Sequence, residues 1–182
     1  MGKINKTKEK ILEFLWKVER SAGHREIAEK LGLKIRSVNM HLLGLTKLGY
    51  TSRSKNGAYK ITTSGKEAIG LPKVDAKTAK KILSKTPPEK SFHFYKEIGQ
   101  PLGVFSDSLT DFHEKLKTID VKSILFHTSR GDFERWVSSL GDMELAKRLR
   151  TIRETGLAGE ALRRKLCEAV RSRCDELLKK KK

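Results

Sequence analysis

His24-Arg-Glu-Ile-Ala-Glu-Lys-Leu-Gly-Leu-Lys-Ile-Arg-Ser-Val-Asn-Met-His-Leu-Leu-Gly-Leu-Thr-Lys-Leu-Gly-Tyr50, followed by Thr51-Ser-Arg-Ser-Lys-Asn-Gly-Ala-Tyr-Lys-Ile-Thr62, decides how this chain folds. Ile27, Ala28 and Leu31 share one side of a short helix over about Arg25–Leu31, which stops at Gly32. A second helix begins near Lys34 or Ile35 and runs to Leu48. Val38, Leu42, Leu45 and Leu48 form its inner stripe, and Gly49 supplies a left-handed exit. The chain then reads as a strand at Tyr50–Arg53, a turn at Ser54–Gly57 and a second strand at Ala58–Thr62. Asn56-Gly57 marks a hairpin because both residues tolerate positive φ.

Upstream, Ile11, Leu15 and Val18 recur at helical spacing, with Leu12, Phe14 and Trp16 widening the apolar face, so a helix is expected over about Thr7–Arg20. Downstream, Thr63-Thr-Ser-Gly-Lys-Glu-Ala-Ile69 has the form of a capped closing helix. Gly44 lies inside a helix, where it costs about 1 kcal/mol against Ala and leaves room for a close neighbour. The order of three helices and an Asn-Gly hairpin resembles the winged helix–turn–helix proteins of bacterial and archaeal transcription, over about residues 6–70. The resemblance implies that the first two turns of the third helix enter the major groove of DNA, with Arg36, Ser37, Asn39 and Met40 toward the base edges. The chemistry is suitable: Arg pairs bidentately with guanine, Asn with adenine, and Met touches a thymine methyl. Lys47 lies along the same face. Arg53, Lys55 and Lys60 surround the turn at Asn56, where contacts to phosphate would position the protein without reading sequence. Read blandly, the same residues form an ordinary solvated surface.

Charge is segregated along the chain. The formal net charge is +18. Residues 1–70 carry 15 Lys and Arg against 6 Asp and Glu, whereas residues 91–178 carry 15 against 14. A polyanionic partner for the first half follows, since phosphate neutralisation with counterion release dominates nucleic-acid affinity. The first residues lack a signal-peptide pattern and no apolar run approaches the roughly 20 residues that span a bilayer, so a cytoplasmic, nucleoid-associated protein without membrane partners is expected. Cys167 and Cys174 stand too far apart along one helix to bridge. The histidines show no metal-ligand spacing, and neither a metal nor another cofactor is expected.

Residues 71–90 hold Pro72, Pro87, Pro88 and six lysines. They read as a basic linker with a short helix at Ala76–Ser84, whose lysines either extend a footprint on DNA or solvate the linker. From Ser91 to Leu178 the pattern predicts a second, α+β domain. Its expected strands are Ser91–Tyr95, Leu102–Phe105 and Val121–Thr128. Helices follow Ser108, Asp132 and Asp142 as caps, and a final helix spans about Gly159–Leu178. Residues 179–182 form a lysine tail. The whole is therefore α+β: a winged helix–turn–helix domain followed by a small α+β domain with a short sheet and several helices. The second half resembles an uncharacterised domain family of archaea and some bacteria. The resemblance rests on Phe92-His-Phe-Tyr95, Pro101-Leu-Gly103, Ser108-Leu109 with Phe112, Phe126-His127 with Arg130-Gly-Asp-Phe133 and Trp136, Leu145-Ala146, and Gly159-Glu160 with Leu162-Arg163. It implies no activity. Together the halves resemble an archaeal DNA-binding protein of chromatin or regulator type.

One polar constellation remains, His127, Arg130, Asp132 and Trp136 at an expected strand-to-helix junction. It either binds an anion or small acidic ligand, or serves structure through a helix cap, an ion pair, a core indole and a satisfied histidine. No nucleophile, phosphate loop or metal site accompanies the histidine, so an enzyme is not expected. Cys167, Val170, Cys174 and Leu177 follow a 3-4-3 step that suits either packing within the domain or the seam of a homodimer. The resulting expectation is a double-stranded DNA binder, regulator or packaging protein, whose second domain dimerises or senses a ligand. The alternative is a protein–protein adaptor of a transcription or repair complex that has lost DNA readout.

Overall fold

The computed structural model describes residues 4–181, which fall into two compact units dividing at Lys73 and Val74. Lys182, the end of the lysine tail, and residues 1–3 lie outside the described residues.

The first unit contains α1 (Lys6–Val18), α2 (His24–Leu31), α3 (Ile35–Lys47), the antiparallel strands β1 (Thr51–Arg53) and β2 (Tyr59–Ile61), and α4 (Thr63–Ala68). Asn5 caps α1 by accepting the Lys8 N–H. Gly32 closes α2 and Gly49 follows α3, both at positive φ, as read from the sequence. Ile11, Leu12 and Leu15 of α1, Ile27 and Ala28 of α2, and Val38, Leu42 and Leu45 of α3 are buried together. Each buried Val, Leu or Ile side chain here contributes about 1.5–3 kcal/mol relative to exposure. Leu48 departs from the expectation: it is the C-cap residue of α3, just beyond the helical stripe, and is 51% exposed. Tyr59 joins the hairpin to this core. Its ring is buried, and its backbone exchanges two hydrogen bonds of 2.9 Å with Ala22 in the connection between α1 and α2.

The second unit contains α5 (Ala76–Ile82), a 3₁₀ turn (Pro88–Lys90), the antiparallel strands β3 (Phe92–Glu97) and β4 (Gln100–Ser106), and five helices: α6 (Leu109–Thr118), α7 (Val121–Arg130), α8 (Asp132–Leu140), α9 (Met143–Glu154) and α10 (Gly159–Lys181). One apolar cluster unites them, from Val74, Ala79 and Ile82 through Phe92, Phe94, Phe112 and Phe133 to Leu166, Val170 and Leu177. The expected linker is therefore mostly not a linker. Val74 onward belongs to this unit because α5 buries its apolar side against α10.

Two further expectations are corrected. Val121–Thr128 is helix α7, and the sheet of this unit has two strands. Ser123, Ile124, His127 and Thr128 are buried at helical spacing, with Asp120 capping one end and Gly131 at φ 70° closing the other. A short apolar run does not by itself separate strand from helix, and here the two caps decide. Asp132 is not a cap but the first residue of α8; Gly131 occupies the cap position. Ser108 and Asp142 do cap α6 and α9. The apolar side of α10, including Cys174, is filled by its own unit, so the 3-4-3 seam is internal.

Candidate nucleic-acid interface

The outer side of α3 opposes the buried stripe. Arg36, Met40, Leu43 and Lys47, spaced by four, three and four residues, form one exposed ridge. Ser37 and Asn39 are half-buried and flank that ridge on opposite sides. The residues nominated from the sequence on this helix thus share one surface, with Arg36, Met40 and Lys47 at its crest. Leu43, 61% exposed, belongs to the crest and was not nominated. Its spacing from Met40 was the available signal. Lys34 occupies the N-cap of α3 and gives no side-chain cap, so among the described residues the first-turn N–H groups have no side-chain acceptor. Lys8 of α1 reaches the flank at Gly44, its Nζ 3.4 Å from the point where a glycine-44 Cβ would sit.

The hairpin is pinned by its own polar groups. Ser54 Oγ donates to Ala58 O at 2.9 Å, and Asn56 Oδ1 accepts the Ala58 N–H at 3.3 Å. Gly57 takes φ 80°, which the turn requires. Asn56 therefore has its carbonyl spent inside the turn. Register pairs Ser52 with Lys60 and Arg53 with Tyr59, so Arg53 and Lys60 lie on opposite faces of the hairpin. The Arg53 guanidinium sits 5.8 Å from the Tyr59 ring centroid. Lys55 and Lys60 are exposed. No ion pair holds Arg36, Lys47, Arg53, Lys55 or Lys60 among the described residues. Sequence reasoning also passed over a sharper charge signal. From Lys30 to Lys66 the chain has eight Lys and Arg and no Asp or Glu across 37 residues.

In the second unit His127, Arg130 and Asp132 come together at the end of α7, whereas Trp136 lies one turn along α8 and packs against Phe92 and Phe112. The Tyr95 N–H donates to His127 Nε2 at 2.9 Å, which leaves the ring proton on Nδ1. Nδ1–H donates to Asp132 at 2.8 Å. The same carboxylate accepts Arg130 Nε at 3.3 Å and also pairs with Arg135. Trp136 Nε1 donates to Lys90 O at 2.9 Å. His127 packs edge-on against Phe92 at 4.8 Å. Burial holds its pKa below the ordinary value, outweighing the neighbouring Asp132 carboxylate that opposes the shift. Both ring nitrogens are thus engaged inside the fold, tying β3 to α7 and α8. Open grooves of about 400 and 360 Å³ beside β4 and α6 are lined by other residues, among them Lys115, Phe105 and Val104. Among the described residues no cluster of His, Cys, Asp and Glu has a metal-binding arrangement.

A separate buried ion cluster escaped the sequence reading. Arg173 is 1% exposed and donates to both carboxylate oxygens of Asp142, at 3.1 and 2.8 Å through Nε, and to Glu144 and Glu176 through Nη1. Arg148 donates to Glu144 at 3.2 Å and to Glu176 at 2.8 Å. An arginine four residues before Leu177 in an otherwise apolar helix face was the only sequence hint.

No helix among the described residues is long and apolar enough to cross a membrane. Neither a curated protein nor a solved structure matches the chain. A family model described as "Family of unknown function (DUF5752)" matches residues 73–171, more than half of the sequence and nearly all of the second unit through the middle of α10, and the chain belongs to that family.

Proposed function

We propose that the first unit is a winged helix–turn–helix that binds double-stranded DNA, with α3 in the major groove and the β1–β2 hairpin on flanking phosphates. The observation that carries this reading is the carboxylate-free stretch between Glu29 and Glu67, which supplies the whole exposed ridge of α3 and the whole hairpin. Solvated protein surfaces mix both signs of charge. A continuous surface of one sign suits a polyanion whose affinity comes from counterion release. The uncapped N-terminus of α3, beside Lys34 and Arg36, adds N–H donors of the kind that accept phosphate.

The second reading, a protein–protein adaptor, draws on Met40 and Leu43, which put 69% and 61% of their surfaces into solvent on the same ridge. Exposed apolar side chains at helical spacing suit a helix-in-groove partner. Arg36→Ala combined with Lys55→Ala separates the two. Loss of duplex affinity by about tenfold or more at moderate salt is expected, from one base-edge and one phosphate contact. Unchanged affinity would give the adaptor reading the advantage.

A further inference from the structure

We propose that the second unit carries its own contact surface for duplex DNA, a lysine row on α5 formed by Lys77, Lys80 and Lys81, which grips the phosphate backbone. The proposal rests on the duplex reading of the first unit and gives the DUF5752 unit a direct part in it.

The row follows from how α5 packs. Ala79 and Ile82 are fully buried, and Val74 nearly so, in the same apolar cluster as Val170 and Leu177 of α10. With 100° per residue, Lys77, Lys80 and Lys81 fall on the side opposite Ala79 and Ile82, and all three are exposed. Residues three and four apart on a helix have Cβ atoms about 5–6 Å from each other, so the three ammonium groups repel. Within the helix, the single nearby carboxylate is the N-cap Asp75, whose charge acts on Lys77. Residues 76–88 contain no Asp or Glu. Asp75, just before them, is the N-cap and accepts the Thr78 N–H at 2.8 Å. Lys85, the next lysine along, is already paired with Asp107 at 2.8 Å. Lys180 of α10 donates its Nζ to Val74 O at 2.9 Å, just before α5.

The contrast with α10 shows that this is not ordinary solvation. The outer side of α10 alternates Arg164, Glu168, Arg171 and Asp175, all exposed, which is the mixed pattern of a helix facing water. On α5 the sign is unmixed. Three lysines within one turn and a half suit a strand that carries a phosphate every ~3.4 Å of its axis. The apolar side of α5 is consumed by the core, so it cannot enter a bilayer as an interfacial helix does. The helix also has no aromatic side chain on which unpaired bases would stack, which disfavours single strands.

The test uses the full chain and random-sequence 30-base-pair duplex titrated across a salt series. Lys77→Gln, Lys80→Gln and Lys81→Gln together should lower the slope of log affinity against log salt by roughly 2 to 3, about 0.9 per lost phosphate contact. The matching triple Lys→Arg variant should restore the slope, which separates charge from folding. A slope unchanged in the triple Gln variant overturns the proposal, as does absence of duplex binding by the parent chain. The result with Arg36→Ala and Lys55→Ala is independent: if that variant binds as the parent does while the triple Gln variant loses slope, the α5 surface stands and the α3 assignment fails. Loss seen only on vesicles containing phosphatidylserine, and not on duplex, also overturns the proposal in favour of a membrane surface.

Discussion

Gly44 and Gly65 both lie in helices of the first unit, yet a methyl group would meet very different surroundings at each. At Gly44 an added Cβ would sit 3.4 Å from Lys8 Nζ, ordinary contact with the end of a flexible side chain. The reading of Gly44 as a site of close helix approach is thus refined: the neighbour is a lysine tip. Gly44→Ala should stabilise the protein by up to about 1 kcal/mol through helix propensity. At Gly65 the Cβ would lie 2.1 Å from the carbonyl oxygen of Tyr50, a backbone atom that also accepts the Thr62 N–H at 3.0 Å. Gly65→Ala should therefore cost about 2–3 kcal/mol, because α4 must move off the hairpin. Denaturant midpoints of the two variants check both signs at once. Equal effects would contradict the surroundings described.

His127 makes a third prediction at the same scale. Its folded pKa lies below the ordinary value of 6.5 because the ring is buried. As pH falls below about 6.5, the unfolded chain binds the proton before the folded one does, so stability declines down to the folded pKa. His127→Gln should remove that component of the pH slope while its amide oxygen still accepts the Tyr95 N–H. His127→Ala should cost about 2–4 kcal/mol, from the cavity and from the Tyr95 N–H left without its acceptor. A parent-like pH slope in His127→Gln would show that another group titrates instead.

At the scale of elements, the first unit was legible because each helix carries its own punctuation. Gly32, Gly49 and Asn56-Gly57 mark ends and turns that local backbone chemistry alone demands, and the observed bounds differ from the expected ones by a residue or two. Arg36, Met40 and Lys47 were legible for the same reason, since an amphipathic helix announces its outer side. The second unit was less so. In Val121–Thr128 three apolar residues, Ile124, Leu125 and Phe126, are consecutive, and the deciding signals, Asp120 before and Gly131 after, lie outside the run. Asp132 was misassigned because its neighbour Gly131 serves two helices at once, freeing the carboxylate for His127, Arg130 and Arg135. The packing of α5 on α10 was invisible because it joins segments about a hundred residues apart.

The Arg173 cluster belongs to this scale, since it fastens α10 to the start of α9. Burial opposes the charge on Arg173, but Asp142 and Glu144 outweigh it and hold the guanidinium protonated. Burial would likewise raise Glu176, yet Arg148 and Arg173 pull its pKa below the ordinary 4.5. A carboxylate held down in this way contributes stability above about pH 4.5 that is lost as pH falls through its folded value. Arg173→Met keeps the length of the side chain but leaves Asp142, Glu144 and Glu176 with one cation fewer. It should cost about 3–5 kcal/mol, the range for breaking a buried ion pair from one side. Thermal unfolding followed by circular dichroism measures it, and a loss under about 1 kcal/mol would mean that the cluster is solvated. Cys174 sits in the same region, its thiol pushed up to about 11 by burial and by nearby Asp175 and Asp142. It stays protonated and unreactive at neutral pH.

For the whole molecule the question is whether the DNA proposed as partner is read or merely held. Direct readout needs side chains that pair bidentately with base edges. The α3 ridge has one, Arg36; Asn39 is half-buried on the flank, and Met40 and Leu43 offer only apolar contact. Exposed cations suited to the phosphate backbone are more numerous: Lys34, Lys47, Arg53, Lys55 and Lys60 on the first unit, and Lys77, Lys80 and Lys81 on the second. Under the proposed duplex reading, such a distribution favours packaging over sequence-specific regulation. A random duplex pool, bound across a salt series and sequenced, should therefore yield little enrichment, while affinity falls by about 10³-fold or more between 50 and 200 mM salt, the range for six or more phosphate contacts. An enriched palindrome would reverse the conclusion, because it requires two recognition helices held at a fixed half-site spacing by a dimer. The apolar side of α10 is occupied within its own unit, so the contact holding that dimer would have to be sought on another surface.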